Sequence, residues 1–189
     1  VTIVSRPADL QVTDAGVTSV AEAGQTVRVD WTVSNQGTGD TIVNAWTDQI
    51  VASVDDILGN EDDVTLANFT HSGLLDVGAS YSRSEIAAVP FSFVGDYNLF
   101  VVTDSGDSVF EDLNKTNNNS AALPITVTRE TPDLQVTTIN VPETAQVASV
   151  IPLSWTVENF GVGETNANLW YDTVFLSTDQ NLGDNNDIF

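Results

Sequence analysis

The sequence predicts an all-β chain built of antiparallel β-sandwiches in series. Two observations carry this. Val27, Val29, Trp31 and Val33 alternate with Arg28, Asp30, Thr32 and Ser34, the period-two signature of a strand with one face buried. The chain also repeats itself at a spacing of 124 residues. Asp9-Leu10-Gln11-Val12-Thr13 returns as Asp133-Leu134-Gln135-Val136-Thr137, and Trp31-Thr32-Val33 returns as Trp155-Thr156-Val157. Asn35, Gly37, Gly39, Trp46 and Asp48 return as Asn159, Gly161, Gly163, Trp170 and Asp172. The register runs on without a gap to Asp63 and Asp187. Self-similarity at a fixed period marks a tandem array.

The repeat sets the expected domains. Val1-Thr2-Ile3-Val4 aligns with Ile125-Thr126-Val127-Thr128, so residues 1–7 read as the end of a preceding repeat. Residues 8–131 form one complete unit, long enough to bury a two-layer core. Residues 132–189 form the N-terminal half of the next, which leaves an unpaired sheet edge and exposed core there. Within the complete unit, strands are expected at Leu10–Asp14, Val27–Val33, Ala45–Ser53, Val64–Thr70, Tyr81–Val89, Gly95–Thr103 and Leu123–Thr128. Turn chemistry separates them at Asn35-Gln36-Gly37-Thr38-Gly39, at Asp76-Val77-Gly78 and at Asp104-Ser105-Gly106-Asp107. About seven short strands with turns between them indicate an immunoglobulin-like antiparallel sandwich, with a jelly roll as the other architecture the pattern allows. Pro132 favours an extended junction between units.

Composition narrows the function. With 27 acidic residues against 5 basic ones the formal net charge is −22, a field that repels phosphate backbones and anionic lipid. Nucleic-acid binding is excluded as an expectation; cations and a salty medium suit the chain. There is no Cys, so no disulfide supports the fold. No apolar run reaches the ~20 residues of a membrane span, so no membrane insertion is expected in this segment.

The unit resembles the CARDB module, a cell-adhesion-related domain found in bacterial proteins. The resembling residues are Asp9-Leu10, Trp31-Thr32-Val33-Ser34-Asn35-Gln36-Gly37, Trp46-Thr47-Asp48, Ser72-Gly73, Gly78-Ala79-Ser80-Tyr81, Gly95-Asp96-Tyr97, Thr103-Asp104, Glu111 and Asn118-Asn119. The resemblance implies an immunoglobulin-like sandwich in an extracellular or cell-surface setting. It supplies no active site.

The densest candidate site is the loop Asp55-Asp56-Ile57-Leu58-Gly59-Asn60-Glu61-Asp62-Asp63, whose copy is Asp179-Gln180-Asn181-Leu182-Gly183-Asp184-Asn185-Asn186-Asp187. Oxygen-bearing side chains match at Asp55/Asp179, Asn60/Asp184, Asp62/Asn186 and Asp63/Asp187. Calcium needs about six to eight hard oxygens around one point, and a glycine permits the bend that gathers them. The spacing is not that of an EF-hand loop, and a polar hairpin turn uses the same residues. A weaker calcium candidate is Asp104, Asp107 and Glu111 in the segment joining the last two strands.

The remaining motifs read as structural. Asn68-Phe69-Thr70, Asn114-Lys115-Thr116 and Asn118-Asn119-Ser120 match the glycosylation acceptor pattern, as Asn- and Thr-rich chains do by chance. Trp31, Trp155, Trp46 and Trp170 are expected in the core, with Phe91 and Phe93 partly exposed. His71, the sole histidine, is expected near a strand end, exposed or hydrogen-bonded. Adjacency to Ser72 does not make an activated nucleophile. The functional expectation is therefore a non-catalytic extracellular spacer or adhesion repeat of a large bacterial surface or secreted protein, stiffened by calcium. Its partners would be neighbouring repeats and a cell-surface or polysaccharide ligand. The alternative is a carbohydrate- or polymer-binding accessory module of a secreted enzyme.

Overall fold

The computed structural model describes residues 4–112, 115–165, 167–183 and 187–188. The chain divides into two compact units, Val1–Arg129 and Glu130–Phe189. In the first unit the strands are β1 (Leu10–Val17), β2 (Val20–Glu22), β3 (Thr26–Asn35), β4 (Ala45–Ser53), β5 (Val64–Ser72), β6 (Ser80–Ala88), β7 (Gly95–Val102) and β8 (Leu123–Thr128), with a 3-10 turn at Lys115–Asn117. The all-β expectation holds, and every strand read from alternation is present with ends displaced by a few residues. The short β2 was not foreseen: three residues carry too little pattern to show a period. It pairs with β8 in parallel, so the sheet is mixed rather than purely antiparallel.

The strands form a three-stranded sheet in the order β1-β3-β6 and a five-stranded sheet in the order β2-β8-β7-β4-β5. Alternation decides which face each buries. In β3, Val27, Val29, Trp31 and Val33 are all at most 3% exposed while Arg28 and Asp30 face water. These residues share one core with Ile50 and Ala52 of β4, Leu99 and Val101 of β7 and Ile125 of β8, giving a sandwich-like unit in which the apolar faces of both sheets leave water. Trp46 is buried as expected, and Phe93 is also buried, stacked on Tyr97 at 4.3 Å; Phe91 is exposed. Phe93 lies inside because Phe93 N–H bonds to the Pro90 carbonyl, a turn that folds the ring back under the sheet.

The core contains a carboxylate. Asp48 of β4 is fully buried and accepts hydrogen bonds from Trp31 Nε1 (3.2 Å), Tyr81 OH (2.8 and 3.0 Å) and Thr103 Oγ1 (2.8 Å). Arg83 Nε stands 3.9 Å away. The donors come from β3, β6 and the end of β7, so this group ties together both sheets.

A second buried polar hub is Asn35. Its Oδ1 accepts from the Asp9 and Gly37 amides (both 3.1 Å) and its Nδ2 donates to the Gly39 and Leu75 carbonyls (both 3.0 Å), which uses nearly the full bonding capacity of the amide. The glycines follow from this closure. A Cβ on Gly39 would lie 2.0 Å from the Arg6 carbonyl oxygen, and one on Gly37 2.5 Å from the Ala8 backbone.

The second unit contains β9 (Leu134–Asn140) and β10 (Ser154–Asn159), an antiparallel pair, plus a bridge between Leu176 and Ile188. It reproduces the details of β1 and β3. The register slips by one residue at Thr137 as at Thr13, and Asn159 Oδ1 accepts from the Asp133 and Gly161 amides while Nδ2 donates to Gly163. Trp155 Nε1 bonds to Asp172 at 2.8 Å. Trp155 and Trp170, expected in the core, are 41% and 48% exposed; among the described residues of this unit the named strands are β9 and β10. Among the described residues no helix is long and apolar enough to cross a membrane.

An unsatisfied buried polar group costs about 1–3 kcal/mol, and Asp48→Ala strands three donors at once. We expect this change to destabilise the first unit by about 3–5 kcal/mol in urea unfolding, against about 1 kcal/mol for Thr103→Val. Asp172→Ala, whose partner is half exposed, should leave the main transition in place.

Candidate functional site

The loop between β4 and β5 is organised by its own carboxylates. β4 ends at the buried Ser53, whose hydroxyl lies 3.2 Å from Asp55 Oδ1 and 2.8 Å from Asp62 Oδ2. Asp55 Oδ1 also accepts the Ile57 amide at 2.8 Å, and Asn60 Nδ2 approaches Asp55 Oδ2 at 3.2 Å. Asp62 Oδ2 accepts the Val54 amide at 3.0 Å. The Ser53 hydroxyl and the Val54 amide hold its carboxyl below the usual carboxylate range. Asp63 Oδ2 accepts the Gly59 amide, with Gly59 in the left-handed region at φ 100°, which a side chain there would resist. Asp63 Oδ1 is buried without a partner. Asn98 of β7 fastens the loop by donating to the Asp55 carbonyl at 2.8 Å.

The second copy is built alike over its described part. Asp179 N donates to Ser177 Oγ (3.2 Å) and Asp179 Oδ1 accepts the Asn181 amide (2.8 Å). Asp187 Oδ2 accepts the Gly183 amide at 2.5 Å, Gly183 has φ 97°, and Asp187 Oδ1 is again buried without a partner. Asp184 and Asn186 lie outside the described residues. Asp55, Asn60 and Asp62 are thus brought together around Ser53, with Asp63 closing the loop from its far end. Among the described residues no group of three or more His, Cys, Asp or Glu side chains stands close enough to hold a metal ion.

Sequence reasoning overlooked Ser53. It was visible as the residue that recurs at Ser177, two positions ahead of the first matched aspartate.

The weaker candidate set does not share a centre. Asp104, with φ 47°, caps the Ser108 and Val109 amides at 2.9 and 2.8 Å. Asp107 is exposed and pairs with Lys115. Glu111 is fully buried, accepting the Leu10 amide and Asn118 Nδ2, the latter at 2.6 Å. These groups pin the β7–β8 connection to the start of β1. Burial pushes the carboxyls of Asp104 and Glu111 up; the backbone and Asn118 hydrogen bonds oppose this, and Asp104 and Asp9 add to the shift at Glu111.

His71 is not exposed. It sits between Trp46 and Tyr81, stacked on each at 4.0 Å, and its Nε2 is buried without a partner. The position on β5 turns inward in phase with Phe69, which sequence alternation allowed but the polar character of histidine disguised. Burial lowers its pKa, with Asp48 opposing and Arg83 reinforcing the shift.

The CARDB family model matches residues 7–122. The chain belongs to the CARDB family. The match runs from ahead of β1 through the Glu111 and Asn118 pins and ends just before β8.

Among solved structures, this CARDB chain is similar to the CARDB domain of a Pyrococcus furiosus protein crystallised in complex with di-metal ions. Identity is 16% over 68% of this chain and 95% of that one, at a TM-score of 0.47. A solution structure of the same archaeal domain matches at 18% identity over 65% and 97%, TM-score 0.47. β-Glucosidase 3B from Thermotoga neapolitana matches at 16% identity and TM-score 0.42, over 63% of this chain but 16% of that one. No curated protein matches the chain.

The titrating groups give opposed pH dependences. His71 is held below its ordinary value of 6.5, so as pH falls through about 6.5 the unfolded chain takes up a proton before the native one, and stability falls with acid. Glu111 and Asp104 are held above theirs. Just above the ordinary carboxylate range the native state keeps protons that the unfolded chain has lost, so stability there falls as pH rises. His71→Phe, which keeps the stacking and removes the titration, should flatten the loss of melting temperature between about pH 7 and pH 5.5. Glu111→Gln should flatten the gain on further acidification. Calorimetric scans across pH check both slopes.

Proposed function

We propose that the chain is a non-catalytic extracellular module, a spacer or adhesion repeat of a large bacterial surface or secreted protein, with immunoglobulin-like sandwiches in series stiffened by calcium. The observation that carries this is the recurrence of one loop geometry in both copies. Each loop closes a carboxylate onto a left-handed glycine amide and leaves the other oxygen of that carboxylate, Asp63 Oδ1 or Asp187 Oδ1, buried and unpartnered. A buried acceptor without a donor costs free energy, and neither loop contains a basic side chain. A hard cation resolves that cost.

The donor set fits calcium in kind: carboxylate, amide and hydroxyl oxygens with no nitrogen or sulfur ligand. Asp55, Asn60, Asp62 and Asp63 would hold the ion in the first copy only after the loop draws its two ends together, since the carboxylates as they stand do not share one centre; Asp179 and Asp187, with Asp184 and Asn186, would do so in the second. Bound calcium would neutralise the mutual repulsion of the carboxylates. The chain itself supplies the scaffold, with β4 and Asn98 anchoring the loop to the sheet, so that closing it would extend the rigid part of each unit. In an array, rigidity and copy number convert weak contacts into avidity.

The titratable side chains of the first unit's core are committed to structural contacts. Both faces of the His71 ring are covered by aromatic rings, and the buried carboxylates Asp48 and Glu111 spend their oxygens on structural donors. The accessory-module alternative draws less support, since Trp31 and Trp46 are each 2% exposed and offer no platform for a sugar ring.

A ligand that binds only the native state stabilises it, by about 2.7 kcal/mol at a hundred times its Kd. Millimolar calcium, compared with chelator, is therefore expected to raise the melting temperature by several degrees. Asp55→Asn with Asp62→Asn should abolish the rise in the first unit, while magnesium reproduces little of it. An unchanged midpoint across calcium and chelator rejects the calcium reading.

A further inference from the structure

The entry to β1 and the β7–β8 connection meet in a knot of side-chain oxygens outside the β4–β5 loop. Two buried carboxylates lie there, Asp9 just ahead of β1 and Glu111 in the connection. Each receives an N–H from one of two consecutive asparagines. Asn117 Nδ2 donates to Asp9 Oδ1 at 2.9 Å, and Asn118 Nδ2 donates to Glu111 Oε2 at 2.6 Å. Glu111 also accepts the Leu10 amide, one residue beyond Asp9, so both carboxylates stand on neighbouring stretches of backbone. The other ends of the two amides are unmet. Asn117 Oδ1 and Asn118 Oδ1 are buried without a hydrogen-bond partner, and Asn118 as a whole is 8% exposed.

A buried acceptor left unmet is costly. Two of them on adjacent residues, each belonging to an amide already turned onto a carboxylate, point to one shared guest. Charge points the same way. Burial raises the Glu111 carboxyl, and Asp104 and Asp9 add to that shift. The basic group of the connection, Lys115, is exposed and paired with Asp107.

We propose that a singly charged alkali ion, sodium or potassium, binds here on Asp9, Glu111, Asn117 Oδ1 and Asn118 Oδ1. Each carboxylate oxygen keeps a lone pair free beside its N–H bond, and a hard cation takes such oxygens together with amide carbonyls. A doubly charged ion suits the set less. The carboxylates are already shared with N–H donors, and among the described residues no three acidic side chains converge on one point. The ion clasps the entering chain to the β7–β8 connection. It stands apart from the calcium reading of the β4–β5 loop and does not depend on it.

The test uses residues 1–189 in chelator throughout, so no calcium result enters it. Thermal unfolding is compared in equal concentrations of sodium, potassium and tetramethylammonium chloride. All three screen the acidic chain alike, but the quaternary ion cannot take oxygen ligands at bonding distance. The midpoint of the first unit is expected to be several degrees higher in sodium or potassium. Asp9→Asn and Asn117→Ala should each erase that difference between salts, whatever they do to the midpoint itself, while Asp107→Asn keeps it. Sodium-23 relaxation of the unsubstituted chain gives a reading free of any folding defect: potassium should displace the bound sodium and tetramethylammonium should not.

Equal midpoints in the three salts, with sodium-23 relaxation displaced equally by both competitors, mean that ordered water serves the two oxygens and overturn the proposal. A salt difference that survives both Asp9→Asn and Asn117→Ala places the ion elsewhere and overturns it as well.

Discussion

A single ionisable group at the centre of an apolar core organises this fold. Placing Asp48 between two sheets is expensive unless every strong donor in reach is turned toward it. The structure meets that demand with an indole, a phenol and a hydroxyl drawn from β3, β6 and the end of β7. The geometry propagates outward. Tyr81 held against Asp48 forms one wall of the aromatic slot, Trp46 forms the other, and His71 fills it. The ring therefore remains inside, where its ionisation is suppressed. An aliphatic core of the same volume would cost less in desolvation, but it would leave the register of the two sheets to packing alone. A buried polar group of this kind specifies one alignment, because any other strands a charge.

Asn35 plays the corresponding part at the end of the sandwich. Its amide joins the entering chain at Asp9, the turn at Gly37 and Gly39, and the distant Leu75. The glycines of that turn are required because the entering backbone passes within van der Waals contact of them. Three of these four contacts recur in the second unit, with Asn159 against Asp133, Gly161 and Gly163. Most of this corner is therefore local to the first two long strands, with Leu75 the one distant partner.

Much of the fold was legible because strands with one buried face write a period of two into the chain, as Val27 to Val33 do. The candidate calcium loop was legible for a different reason: comparing the two copies shows which oxygens recur. What pattern could not show was the partner of a polar residue. Asp48 carried no mark of burial, Glu111 read as a weak calcium candidate and His71 as an exposed or hydrogen-bonded imidazole, since a residue's type states what it prefers and not whether a distant donor will meet it. Asp104, Asp107 and Glu111 looked like one cluster because they are close in sequence. The chain spends them separately, on a turn, on Lys115 and on the amide of Leu10.

The sequence by itself determined the all-β class, the family resemblance, the repeat spacing and the position of nearly every long strand. These depend on local alternation and turn chemistry, which a residue carries wherever it is placed. Tertiary structure alone decided the parallel pairing of β2 with β8, the burial of His71, and the enclosure of Asp48 by donors from three strands. Those outcomes depend on strands far away in the chain. Trp31 is buried because the strands paired from later in its unit close over it, which its own local sequence does not state.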